Sequence, residues 1–168
     1  MLLALAGCAG PRTAPDTTAT PGAVVFGYFD MTAAPSTVEW IALRSAEGGR
    51  AYRIGARDGF FFHPGVEPGS YRIEKFGGSG GLPLFTRRAF EYAPPSPKTV
   101  RIGEAEVHFL GAYEFVARDG APGFELKPAR SPSEKELLQR VERELQSDKA
   151  LAPHAGQRER VKRRLAEL

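Results

Sequence analysis

The sequence predicts a mainly β protein, an antiparallel β-sandwich of seven to nine strands with an α-helical appendage at its C-terminus. From residue 23 to 127, β-branched and aromatic runs recur about every ten positions, separated by turns rich in Gly and Pro. From residue 131 the apolar residues instead follow the 3.6-residue period of amphipathic helices. With 168 residues, 42% of them hydrophobic, the chain can bury one substantial core.

Each predicted strand is a short apolar or alternating run bounded by turn residues. The predicted strands are 24–29, 38–43, 51–54, 60–62, 70–74, 87–92, 99–102, 105–116 and 124–126. Strand 38–43 is apolar on both faces except at Glu39, so we expect it to be covered on both sides. Strand 105–116 is long for a single strand, which predicts a bend or bulge near Gly111. The run Gly77-Gly78-Ser79-Gly80-Gly81 is predicted to be a flexible loop.

The segment from residue 128 to 168 is predicted to form two helices that pack on the sandwich. Ser131-Pro132-Ser133-Glu134 fits a capping box with Pro in the first helical position. A stripe follows that is one helix face wide and that we expect to be buried: Leu137, Leu138, Val141 and Leu145. Beyond Pro153, the spacing of Val161, Leu165 and Leu168 predicts a second, basic helix.

The N-terminus contains the motif Leu5-Ala6-Gly7-Cys8, and Cys8 is the single cysteine of the chain. The motif resembles the lipobox of bacterial lipoproteins, although residues 1–4 carry no Lys or Arg and are shorter than a complete signal sequence. The resemblance implies that residues 1–7 are a signal-peptide remnant and that Cys8 is lipidated. Residues 8–22, rich in Pro and Thr, would then tether domain 23–127 to a membrane through the lipid.

A second motif, Val66-Glu67-Pro68-Gly69-Ser70-Tyr71-Arg72-Ile73, places a Pro-Gly turn before a Tyr on a strand. It resembles a signature of carboxypeptidase-regulatory, prealbumin-like sandwich domains. Together with the lipobox, it implies a bacterial envelope lipoprotein with an Ig-like or prealbumin-like fold and no catalytic role. Because Ala9 rather than Asp follows Cys8, resemblance to the enterobacterial sorting rule implies the outer membrane, facing the periplasm.

The net charge of +3 is concentrated at the C-terminus. Residues 157–168 carry five basic side chains against two acidic ones, and the rest of the chain is close to neutral. This balance argues against a nucleic-acid partner. The basic helix predicts contact with anionic lipid headgroups or an acidic protein, or a solvated surface, and the candidate residues are Arg160, Arg163 and Arg164.

Three consecutive aromatics, Phe60, Phe61 and Phe62, form the other candidate for partner binding. Consecutive residues on a strand point to opposite faces, so Phe61 opposes its two neighbours. Either both faces are covered, with the C-terminal helices over one of them, or one face exposes an aromatic patch for a protein or glycan.

Candidate catalytic and metal-binding patterns are weak. His63, His108 and His154 are far apart and lack the spacing of a zinc site. Gly78-Ser79-Gly80 lacks the flanking residues of a nucleophile elbow. We therefore expect neither an enzyme nor a metal or cofactor site. The sequence predicts a structural or interaction module that binds an envelope protein, or alternatively a ligand- or glycan-binding lipoprotein, with its oligomeric state left open.

Overall fold

A computed structural model describes residues 22–80, 88–118, 123–147, 151 and 154–168, and it shows a mainly β chain with two C-terminal helices. The strands are β1 Ala23–Asp30, β2 Trp40–Ser45, β3 Ala51–Arg57, β4 Phe60–Val66, β5 Gly69–Gly80, β6 Arg88–Tyr92, β7 Thr99–Ile102, β8 Val107–Ala117 and β9 Phe124–Pro128. The helices are α1 Glu134–Ser147 and α2 Ala155–Glu167. Cys8, the rest of the lipobox and Gly81 lie outside the described residues.

The strands form one curled sheet in the order β6-β5-β2-β3-β4-β1-β8-β9, with β7 also paired to β5. The expected all-antiparallel arrangement is wrong at one place, because β1 and β8 run parallel. β3 and β4 share only two residue pairs, beside the tight turn at Asp58 and Gly59, where both φ angles are positive. This short pairing joins two halves of the sheet, one of β2, β3, β5, β6 and β7 and the other of β1, β4, β8 and β9. The sheet is therefore a mixed half-barrel and not clearly two separate layers.

β1 is covered on both faces along most of its length. Ala23, Val25 and Phe29 face the interior of the curled sheet, whereas Val24 and Phe26 face the helices, and all five are buried. The prediction that strand 38–43 occupies this position was wrong. In β2, only Ile41 and Leu43 are buried. The other face carries Trp40, which stays half-buried under the guanidinium of Arg53, 3.8 Å from the ring centre.

The predicted irregularity in the long strand is confirmed in β8. Phe26 of β1 pairs with Phe109 and Tyr28 pairs with Ala112, so β8 has one extra residue at Leu110 and Gly111. Gly111 has φ 111° there. An extra residue reverses the alternation of side chains. The predicted common face of 107, 109, 111, 113 and 115 is therefore split, with Phe109 facing the helices and Tyr113 facing the interior.

The predicted flexible glycine loop is instead regular strand. Gly77 and Gly78 are buried within β5, and Gly77 pairs with Trp40. The backbone amide of Glu39 donates a 2.9 Å hydrogen bond to the carbonyl of Gly77. A Cβ on Gly78 would collide with the carbonyl oxygen of Thr37. The glycines are needed because another chain segment crosses directly over this strand.

Helix α1 is capped as a capping box predicts, but two residues later than expected. The Ser133 amide donates to Oε2 of Glu136 at 2.7 Å, and the Glu136 amide donates back to Oγ of Ser133 at 3.3 Å. Both 131–134 and 133–136 fit the pattern Ser-x-x-Glu, and the second one starts the helix.

The apolar stripe of α1 is buried against β1, β4 and β8, which confirms that the helix packs on the sheet. Leu137, Leu138 and Val141 are 0–2% exposed and Leu145 is 8% exposed. They form a cluster, which we call the outer cluster, with Val24, Phe26, Phe60, Ala112 and, from α2, Val161. The cluster enclosed by the curled sheet, which includes Val25, Ile41 and Phe61, is called the interior cluster.

Candidate functional site

The basic helix α2 is attached at the place where the N-terminal segment enters the fold. Nη2 of Arg160 lies 3.5 Å from the carbonyl oxygen of Gly22, the residue before β1. Nε2 of the buried Gln157 donates a 3.0 Å hydrogen bond to the carbonyl of Pro64 at the end of β4. Val161, completely buried, holds the middle of the helix against the outer cluster. These contacts fix which side of α2 faces outward.

Four cations, which we call the basic surface, lie on the outward side of α2 or on its two flanks: Arg158, Arg160, Lys162 and Arg163. Lys162 and Arg163 are exposed, whereas Arg158 and Arg160 are half-buried. Lys162 pairs with Glu159 at 2.9 Å. Among the described residues, the other three have no carboxylate within ion-pair distance. Burial lowers the pKa of the Arg160 guanidinium, which nevertheless stays charged at neutral pH.

Arg164, predicted as a partner-binding residue, is engaged inside the chain. It contacts Glu134 of α1 at 3.1 Å and Glu167 of α2 at 3.3 Å. The hydrogen bond to Glu134 and, to a smaller extent, the one to Glu167 raise the pKa of the guanidinium above its ordinary value. Arg164 therefore links the two helices, and its charge is largely balanced.

Two histidines lie at the junction between β4 and α2. Nδ1 of His63 accepts a hydrogen bond from the Gly65 amide at 3.1 Å, and the ring of Tyr52 meets the His63 ring edge-on at 5.3 Å. Burial lowers the pKa of His63, and repulsion from the nearby His154 lowers it by a smaller amount. The fold therefore favours neutral His63. Within the described part of the chain, no group of three or more His, Cys, Asp or Glu is placed to hold a metal ion.

The three aromatics of β4 are divided between the two clusters. Phe60 is 3% exposed and Phe61 is fully buried, so an exposed aromatic patch at these two residues is wrong. Phe61 faces the interior beside Phe29, and Phe60 stacks on half-buried Phe62 beneath the helices. Nearby, the guanidinium of Arg140 in α1 lies 4.4 Å from the Phe60 ring centre. The alternation predicted from the sequence is confirmed, and it directs these rings into the protein.

A cavity of about 170 Å³ at one end of the curled sheet was not anticipated from the sequence. Its apolar wall is formed by Phe29, Leu110 and Tyr113, and the segment 94–98 forms another side. The hydroxyl of Tyr113 donates to the carbonyl of Leu110 at 3.1 Å, and burial raises the Tyr113 pKa. In the sequence, Pro94, Pro95 and Pro97 indicate only a break between the strands that became β6 and β7.

Neither helix in the described part of the chain has the length and hydropathy needed to cross a bilayer. Comparisons with protein-family models, with curated proteins and with solved structures find no match to this chain.

Proposed function

We propose that this chain is a lipid-anchored protein of the bacterial cell envelope that acts as a non-catalytic structural or interaction module. The observation that best supports this proposal is the position of Cys8 relative to the fold. Cys8 lies in the lipobox-like motif, and β1 begins fifteen positions later at Ala23, which is fully buried. A lipid on Cys8 would therefore leave every described strand and helix in place.

The segment between the proposed anchor and β1 is suited to be a tether. Residues 10–22 include Pro11, Pro15 and Pro21, and in an extended polyproline II conformation they reach at most about 40 Å. The domain would then work within that distance of the membrane. Because Ala9 follows Cys8, we place the anchor in the outer membrane, with the domain in the periplasm.

The finer part of the fold prediction belongs to the same proposal. We infer that the two halves of the curled sheet correspond to the two layers of an Ig-like or prealbumin-like sandwich. Its support is the interior cluster, in which Val25 of one half and Ile41 of the other belong to the same core. The parallel pairing of β1 with β8 departs from the antiparallel sandwich that the sequence predicts.

The anchor is tested by growing the producing bacterium with labelled palmitate. The unmodified chain and a control with Thr17→Ser in the tether should both incorporate label and remain with the membrane fraction. Cys8→Ser should lose both properties. Equal label or equal membrane retention in Cys8→Ser would overturn the anchor. Separation of the two membranes by density tests the location, and Ala9→Asp should move the protein to the inner membrane.

The interaction role is tested by cross-linking in intact cells followed by mass spectrometry. We expect one envelope protein to be recovered with the unmodified chain and lost with Cys8→Ser, because the tether keeps the domain near that partner. Recovery of the same protein from both would show that the anchor does not direct the interaction.

A second candidate function, ligand binding, is favoured by the cavity beside segment 94–98. Its lining is mostly apolar, with Ser96 and Lys98 on one side. The hydroxyl of Tyr113, another lining residue, already has an acceptor in Leu110. The cavity therefore suits a small apolar molecule better than a glycan. The test is a shift of Tyr113 resonances on titration with a small aromatic probe such as toluene. The shift should disappear in Leu110→Phe, which fills the space, and a shift of equal size in that variant would contradict cavity binding.

A further inference from the structure

We propose that the basic surface of α2 binds the anionic headgroups of the membrane that carries the lipid anchor. Electrostatic contact would then hold the domain against the bilayer instead of leaving it free at the end of its tether. This inference rests on the proposed anchor at Cys8, and it names what the outward side of α2 contacts.

The first support is the location of α2. The tether enters the fold at Gly22, whose backbone lies so close to Gly65 that a Cβ on Gly22 would be 2.6 Å from the Gly65 carbonyl carbon. Arg160 contacts the carbonyl of Gly22, and Gln157 binds Pro64 next to Gly65. The end of the tether, the end of β4 and the first half of α2 therefore form one unit. The tether therefore enters the domain on the side that carries α2.

The second support is the charge. The segment 157–168 carries the entire excess positive charge of the chain. Arg164 and Lys162 are balanced by carboxylates, whereas Arg158, Arg160 and Arg163 have no carboxylate partner among the described residues. Clusters of Arg and Lys next to a membrane anchor attract anionic lipids.

The third support is how the helix uses its apolar side. Val161 is completely buried and Leu165 packs against the same cluster, so α2 offers the membrane no apolar stripe to insert. Its contact with lipid would be peripheral and electrostatic, and therefore sensitive to salt. An acidic protein could also bind these cations. The position at the tether favours lipid, because the tether ends at Gly22 beside α2 and so keeps these cations within its reach of the bilayer.

The test measures binding to vesicles without the anchor. The full-length chain with Cys8→Ser is mixed with vesicles of phosphatidylcholine alone or with 30% phosphatidylglycerol and then sedimented. The test variant adds Arg158→Glu and Arg163→Glu. The matched control adds Arg72→Glu and Arg101→Glu, which make the same change in net charge at exposed positions of β5 and β7, strands of the other half of the sheet.

We expect binding that requires phosphatidylglycerol and that weakens by at least about tenfold between 50 and 300 mM NaCl. The α2 variant should bind at least about tenfold more weakly than the parent, and the β5/β7 control within about twofold of it. Equal losses in the two variants, or equal binding to both vesicle types, would overturn the proposal. If the double variant loses its circular dichroism signal, Arg163→Glu alone at its exposed position should still give a severalfold loss.

A second experiment distinguishes lipid from an acidic protein as the partner of α2. A photoreactive residue placed at Arg163 in the anchored chain should cross-link to lipid in cells, and a product dominated by one protein would overturn the lipid assignment. Because the vesicle assay uses Cys8→Ser, its result does not depend on lipidation. Vesicle binding without palmitate labelling would refute the anchor alone, and labelling without vesicle binding would refute the role of α2 alone.

Discussion

The hydrophobic clusters on the two faces of β1 are built in different ways. The interior cluster gathers residues from strands far apart in the chain, such as Val25, Ile41, Tyr71 and Ile102, and the curling of the sheet encloses it. In the outer cluster, β1, β4 and β8 supply four of the nine buried residues, and α1 with α2 supplies the other five. One core therefore depends on sheet curvature and the other on helix docking.

This difference shows that the C-terminal helices are structural rather than accessory. Without α1, the side chains of Val24, Phe26 and Phe60 would face water, although each is at most 3% exposed in the structure. The apolar stripe of α1 is consequently used inside the molecule. The outward sides of both helices stay available to a partner, and that of α2 carries charge and few apolar groups.

The largest expected effect comes from removing a side chain at the centre of the outer cluster. Leu138 is fully buried, so Leu138→Ala should lower the free energy of unfolding by about 2–5 kcal/mol. For a chain of this size, that is a fall of roughly 5–15 °C in the melting temperature. Thermal unfolding followed by circular dichroism measures it. The matched control is Leu168→Ala, at a position 44% exposed, which should change stability by less than about 0.5 kcal/mol. Equal melting of the two variants would show that the helix does not contribute to the fold.

A change at the glycine-rich part of β5 tests the enclosure of the interior cluster. Gly78→Ala should destabilise by about 1–3 kcal/mol, because its Cβ would collide with the Thr37 carbonyl oxygen and push the crossing segment away. Gly55→Ala in β3 is the control, since nothing lies within 4 Å of its Cβ. Denaturant unfolding compares them. If Gly78→Ala is as stable as Gly55→Ala, the close crossing over β5 is wrong.

A smaller, pH-dependent effect is expected where α2 meets β4. The pKa of His63 is lowered below the ordinary value of 6.5, so the unfolded chain binds the proton more readily than the folded one. The stability contributed by neutral His63 is therefore present above pH 6.5 and is lost as the pH falls through the lowered value. The melting temperature should decline between pH 7.5 and pH 5, and less steeply in His63→Gln.

The control for this measurement is His108→Gln on β8, which replaces a different histidine and keeps His63. An identical slope in the parent and in His63→Gln would show that His63 does not contribute to the pH dependence.

The smallest expected effect is at the ion pair between the helices. Arg164→Gln removes the contacts with Glu134 and Glu167, and because these groups are partly exposed to solvent, the cost should be about 0.5–1 kcal/mol. Lys162→Gln, which breaks a pair within α2 alone, should cost less. A double-mutant cycle with Glu134→Gln gives the coupling. A coupling of zero would mean that the outer cluster alone holds α2 against α1.

Much of the secondary structure was predictable because its signals are local. The alternation in β4 and the apolar stripe of α1 depend only on neighbouring residues, and both are confirmed. The errors occur where a local signal fits two structures. Ser131 and Ser133 both begin a Ser-x-x-Glu pattern, and glycines in β5 suit a mobile loop as well as a close crossing of two backbones.

The candidate site was predictable only in part, because its contacts join residues that are far apart in the chain. Concentrated charge marks α2 as a candidate, but the sequence does not show that Arg164 is paired with Glu134, thirty positions earlier, or that Arg160 reaches Gly22. The cavity beside Pro94 and Pro95 forms from residues of several strands, so no single segment carries its signal.

By itself, the sequence determined the β-rich body, the two amphipathic helices and the concentration of positive charge in residues 157–168, because each follows from the spacing or composition of adjacent residues. Only the tertiary structure decided that β1 pairs in parallel with β8, that a single bulge at Gly111 divides that strand between two cores, and that α2 lies at the entry of the N-terminal segment. These three features depend on contacts between residues about eighty or more positions apart. Such contacts form when apolar faces and backbone hydrogen bonds are satisfied across the whole fold, and no short stretch of sequence encodes them.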